Sequence, residues 1–124
     1  MRYALLSLAS VALLASCVTE PPKPHVQQIP ANYKAQVAAL MRSTLKDPYS
    51  VRDAMISQPI TVSGLLVGGT RNGACVRLNS RNSFGAYTGL ETFTVAFVNG
   101  STVGPYEGSC EGNDVHWSPL NIGG

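Results

Sequence analysis

The sequence predicts an α+β fold in which one N-terminal amphipathic helix packs on a small, mainly antiparallel β-sheet of about four to six strands. Three observations predict it. A single stripe of apolar residues with helical spacing lies between Tyr33 and Leu45, segments of period-two alternation follow it, and Asn-Gly pairs fall between those segments. With 124 residues, 12 of them glycine and only 13% charged, the chain suits one compact β-rich domain better than a disordered tail. The expected organisation is a removed segment over 1–16, a tether over 17–30 and a single domain over 31–124.

At the start, Met1 and Arg2 precede an uncharged apolar run from Ala4 to Leu14, closed by Leu14-Ala15-Ser16-Cys17. The run is far short of the ~20 residues needed to span a bilayer and fits the core of a cleaved signal peptide. Leu14 to Cys17 resembles the lipobox of bacterial lipoproteins. That resemblance implies diacylglycerol on the Cys17 thiol, cleavage before it and acylation of the new amine. One acyl chain gives only reversible membrane binding, and two or more hold a protein stably. The alternative is an ordinary secretory signal that leaves Cys17 as a thiol. Val18 stands where Asp retains such lipoproteins in the inner membrane, so the expected location is the outer membrane, with the domain facing the periplasm.

Residues 18–30, rich in proline, form a tether that would reach roughly 40 Å if extended as polyproline II at ~3.1 Å per residue. His25 lies within it as a solvated linker residue. Asn32 is placed to cap a helix whose stripe is Tyr33, Val37, Leu40, Met41, Thr44 and Leu45, with Lys34, Gln36, Arg42 and Ser43 opposite and Lys46 in the last turn. Asp47-Pro48 ends the helix, because the residue before proline is pushed out of helical geometry.

Strands are expected over Ser50–Ile56 and Ile60–Val67, either as two strands or as one bent strand. Asn72-Gly73 reads as a tight turn into Ala74–Ser80, where Ala74, Val76 and Leu78 alternate with Cys75, Arg77 and Asn79. Thr92–Val98 places Phe93, Val95 and Phe97 on one face, and Asn99-Gly100 turns the chain into a return strand broken at Gly104-Pro105. A short last strand is expected near Val115–Trp117, with Trp117 as a partly buried cover.

With three cysteines in the chain and Cys17 assigned to lipid, Cys75 and Cys110 are expected to pair in an oxidising compartment. A bridge over that span contributes about 3 to 4 kcal/mol in the chain-entropy model. Two buried free thiols are the alternative.

The most distinctive internal stretch is Asn79-Ser80-Arg81-Asn82-Ser83-Phe84-Gly85-Ala86-Tyr87-Thr88-Gly89. Together with Leu45-Lys46-Asp47-Pro48-Tyr49-Ser50 and the cysteine at 75, it resembles a group of small proteobacterial envelope proteins. Their pattern is a helix ending in Asp-Pro-x-Ser, a Cys on a strand, then Asn-x-basic-Asn-Ser-Phe-Gly-Gly-Tyr; Ala86 replaces the second glycine. The resemblance covers residues 40–95 and implies architecture rather than an activity. From the residues alone, the stretch is a strand running into a loop, with Phe84 and Tyr87 plugging it onto the core. Its alternative role is a recognition surface formed by Asn79, Arg81, Asn82 and Tyr87 that binds a polar ligand such as a glycan or a peptide.

Nine basic residues against seven acidic ones, with no basic run, leave no footprint for nucleic acid. No C-x-x-C, H-E-x-x-H or phosphate-cradling glycine loop is present, and neither His25 nor His116 has an obvious catalytic partner. The chain is therefore expected to have no enzymatic activity, no cofactor and no metal. Two functions fit. One is an outer-membrane lipoprotein with a structural or accessory role, contacting an envelope protein or the cell wall; the other is a periplasmic inhibitor or a glycan- or peptide-binding module.

Overall fold

The computed structural model describes residues 28–108, 110 and 115–123. The signal segment, Cys17, His25 and most of the tether lie outside the described residues. Within them stand one helix, α1 (Tyr33–Thr44), a 3-10 turn (Pro48–Ser50) and six strands: β1 (Arg52–Ser57), β2 (Ile60–Gly64), β3 (Gly69–Asn79), β4 (Glu91–Val98), β5 (Ser101–Glu107) and β6 (Trp117–Pro119). Every strand pairing is antiparallel. The strand order is β5-β4-β3-β1-β6, and β2 also pairs with β3.

This corrects the expected α+β class with an N-terminal helix. The described fold is mostly an antiparallel sheet, and the one short helix among the described residues lies inside the chain rather than at its start. The reason is in the pattern: helical spacing covers only about three turns, whereas strand alternation and chain reversals occupy nearly everything from Arg52 onward. The helix is also shorter than expected. It stops at Thr44, and Asp47-Pro48 opens the 3-10 turn instead of closing α1. Asn32 makes no side-chain cap; its Oδ1 accepts from the Gln36 amide at 2.9 Å.

The core forms where α1 crosses one sheet face. Val37, Ala38 and Met41 from the helix meet Ile56, Ala74, Val76, Leu78, Phe93, Val95 and Phe97, and Leu120 and Ile122 seal the side. The register explains this selection, since Ile56, Val76 and Phe93 are direct neighbours across β1, β3 and β4, as are Ala74 and Val95 across β3 and β4. Side chains opposite each other across a ladder share a face. Thr44, assigned to the apolar stripe, is exposed instead and donates its hydroxyl to the Leu40 carbonyl at 2.7 Å.

β1 and β2 run end to end along the same side of β3, interrupted at Gln58-Pro59. Ser57 manages the interruption. Fully buried, its Oγ accepts from the Cys75 N–H at 2.8 Å and donates to the Gln58 carbonyl at 2.7 Å, so the hydroxyl is satisfied as both acceptor and donor. The Tyr33 hydroxyl donates to the Ser57 carbonyl at 3.0 Å, tying the start of α1 to the same place, and burial pushes the Tyr33 phenol pKa up.

Asn72-Gly73 is not the expected turn. It lies inside β3, and the reversal comes earlier, at Leu65–Gly68. Gly73 is required for close approach rather than for a positive φ: a Cβ there would run into the Val95 carbonyl oxygen and lie 3.1 Å from Val62 Cγ2. Gly73→Ala is therefore expected to lower stability by roughly 1–3 kcal/mol, as overpacking does. Urea denaturation measures it, and an unchanged midpoint would contradict the steric account.

Asn99-Gly100 is a tight turn, with φ of 52° and 79°, joining β4 to β5 at the Val98–Ser101 pair. Gly104-Pro105 bends β5 without breaking it, because the register slips between Thr94 and Ala96 and a bulge absorbs the extra residue. The last strand starts at Trp117, two residues later than expected.

On the sheet face away from α1, Cys75 and Cys110 form a disulfide. Beside it the Arg77 guanidinium lies over the Trp117 ring, 4.4 Å from its centre, so Trp117 is half-covered as expected. No helix among the described residues is long and apolar enough to cross a membrane.

Candidate functional site

The two stretches that stand out in the sequence, residues 45–50 and 79–89, meet at one end of the sheet. β3 ends at Asn79, and the chain folds back through an isolated bridge between Arg81 and Tyr87. Asn82 holds the small loop in between. Its Oδ1 accepts from the N–H groups of Phe84 at 2.9 Å and Ala86 at 3.1 Å, while its own N–H donates to the Ala86 carbonyl at 2.9 Å. Asn79 Oδ1 accepts from the Gly89 N–H at 3.2 Å. Of the four predicted surface residues, Asn79 and Asn82 thus shape the loop, and Arg81 lies over the ring of Tyr87.

Tyr87 is the pivot. Its hydroxyl donates to the Ser50 carbonyl at 2.7 Å, which fastens the loop to the 3-10 turn, and Lys46 Nζ donates to Ser83 Oγ at 3.0 Å a little further along. The Arg52 guanidinium carbon lies 4.1 Å from the centre of the Tyr87 ring and that of Arg81 lies 5.3 Å from it. Both are within the range of a cation–π contact. No carboxylate among the described residues pairs with either arginine. Two positive charges therefore share one aromatic ring and are available to an acceptor from outside.

Sequence reasoning missed Arg52. The signal that could have found it is the register: β1 starts opposite Asn79, so whatever opens β1 sits beside the loop that follows β3. A bulge follows at once, with Asp53 at φ 54°, and regular alternation fails at the position that supplies the second guanidinium.

Around this pivot lies an open depression of ≈ 480 Å³ lined by Asp47, Tyr49, Ser50, Arg52, Arg81 and Tyr87. Tyr49 is 80% exposed and Phe84 95% exposed. Phe84 was expected to plug the loop onto the core, and the structure corrects this. The tight turn around Asn82 projects residue 84 away from the sheet, so only Tyr87 does the plugging. The result is a surface of exposed aromatic rings and arginines.

A second concavity, of ≈ 470 Å³, lies at the other end of the sheet between β2 and its following turn and β5, with Val62, Leu66, Thr94, Tyr106 and Cys110 among its walls. His116 is exposed, and its main chain exchanges contacts with Gln58. Among the described residues no group of three His, Cys, Asp or Glu side chains could hold a metal ion.

No family model, curated protein or solved structure matches the chain. Its function must be argued from the residues themselves.

Proposed function

We propose that the protein is an outer-membrane lipoprotein without enzymatic activity, anchored through Cys17, whose domain works by contact with an envelope protein. The anchor rests on Leu14-Ala15-Ser16-Cys17 behind an uncharged apolar run. The contact role rests on one observation above all: two guanidiniums on Tyr87, without carboxylate partners among the described residues, flanked by exposed Tyr49 and Phe84. Aromatic rings and arginine are the residue types that carry most of the energy at protein–protein interfaces, and here they are clustered on a loop braced from behind. A catalytic reading has no comparable support, because the site offers no nucleophile within reach of a base.

Two measurements test the two halves separately. Intact-mass analysis of protein from the membrane fraction is expected to show acyl chains on a mature chain beginning at Cys17; a mature chain with a bare thiol there ends the anchor reading. A photo-crosslinking residue at position 84 in native membranes is expected to capture one stoichiometric protein partner. A folded protein that captures nothing, or that captures only glycan, ends the protein-contact reading.

A further inference from the structure

We propose that the tip of the β2–β3 hairpin, Leu65-Leu66, is a lipid-contacting wedge that seats the domain on the bilayer to which it is tethered. The inference rests on the lipid-anchor reading above and adds the face by which the domain meets the membrane. Leu65 is 100% exposed and Leu66 76% exposed at the turn after β2, adjacent in sequence and projecting from a hairpin end. No charged residue occurs between Asp53 and Arg71, so the whole approach to the tip is neutral.

The charge that ends this stretch is well placed. Arg71 lies at the base of the tip, with its guanidinium 3.4 Å from the carbonyls of both Val67 and Gly68. Apolar residues ahead of a basic one is the arrangement that suits the boundary between acyl chains and anionic headgroups.

The tip lies at the end of the sheet away from the Tyr87 surface, where an apolar pair can meet lipid while that surface meets a protein. The tip precedes Gly69, at the start of β3, while the Tyr87 surface follows Asn79, at its end; over 11 residues those ends are roughly 30 Å apart at ~3.3 Å per residue. The tether joins at the end of α1 away from the Tyr87 surface. The described chain begins at residue 28, just ahead of α1, whose first turn is tied to Ser57 by Tyr33 and to Ser118 by Lys34, at the level of Cys75 and Val76 on β3, whereas the far end of the helix leads to the Tyr87 surface. A domain tethered there is free to bring Leu65-Leu66 to the bilayer while the arginine–tyrosine surface stays clear of it.

The test places tryptophan as a depth probe in the full chain, reconstituted in phosphatidylethanolamine–phosphatidylglycerol vesicles with brominated acyl chains. Leu65→Trp is expected to be quenched strongly over the parent protein, which carries Trp117 alone, and Phe84→Trp is expected not to be. Equal quenching at 65 and 84 in protein that floats with the vesicles overturns the wedge. Absence of acyl mass on Cys17 refutes the anchor independently. The wedge is then decided by adding the protein to the same vesicles: quenching at position 65 supports it, and none overturns it. Leu65→Ser with Leu66→Ser is expected to lower partition of unlipidated chain onto these vesicles about tenfold. Unchanged partition overturns it as well, and because both side chains are exposed the fold is unaffected.

Discussion

Replacing both Cys75 and Cys110 with alanine is expected to destabilise the domain by about 3 to 4 kcal/mol, close to the whole net stability of many small domains. The bridge spans a sequence separation of 35, and most of its effect is to restrict the unfolded chain. Position makes the loss worse than loop entropy alone. Cys75 sits in the middle of β3, fully buried, and its backbone N–H is the group that Ser57 Oγ holds at the bend between β1 and β2. Loosening β3 there disturbs three neighbouring strands together. A fall in melting temperature of about 15 °C is expected from a change of this size. The same shift should appear in the unaltered protein under a strong reductant. A change of less than about 1 kcal/mol would show that packing on that face, rather than the covalent link, carries the stability.

Tyr87→Ala is expected to weaken capture of the proposed envelope partner at least thirtyfold, the scale of an interface hot spot at about 2 kcal/mol or more. The substitution removes the ring that both Arg52 and Arg81 rest on, and with it the bond to the Ser50 carbonyl. Two companions separate recognition from loop collapse. Tyr87→Phe keeps the ring and removes one hydrogen bond, so it should cost about 1 kcal/mol of stability and leave most of the binding. Phe84→Ala changes a side chain that holds nothing together, so it should lower binding at unchanged melting temperature. Exchanging both arginines for lysine keeps the charge but loses the planar stacking, and binding should fall again. If Tyr87→Ala binds as the parent does, the surface is a structural connection and no more.

How much of this could be read from the chain depended on whether the signal was local. Asn99-Gly100 demanded positive φ at both positions and made the turn the pair implies. Asn72-Gly73 carries the same two letters, yet its glycine answers to the carbonyl of Val95 on a neighbouring strand, a contact no window around residue 73 contains. The helix stripe identified Val37 and Met41 correctly, but the class of the fold was misjudged, because one amphipathic segment says nothing about how many strands share the face beneath it. At the site, Arg81 and Tyr87 were legible from a dense polar stretch. Arg52 was not, since its place depends on pairing with Asn79 across a long sequence separation.

The short strand β6 sets the order in which the molecule can assemble. Among the described residues it pairs only with β1, and the residues after it reach back across the sheet, with Ile122 accepting from Arg42 and Leu120 packed beside Ile122 against α1. Residues 117–122 are synthesised after everything they are seen to touch. Until they arrive, β1 keeps an open ladder edge and the helix lacks part of its seat, the condition in which strands recruit other strands. The newly made polypeptide therefore passes through an interval in which that edge is open to other strands, and the interval ends when residues 117–122 dock.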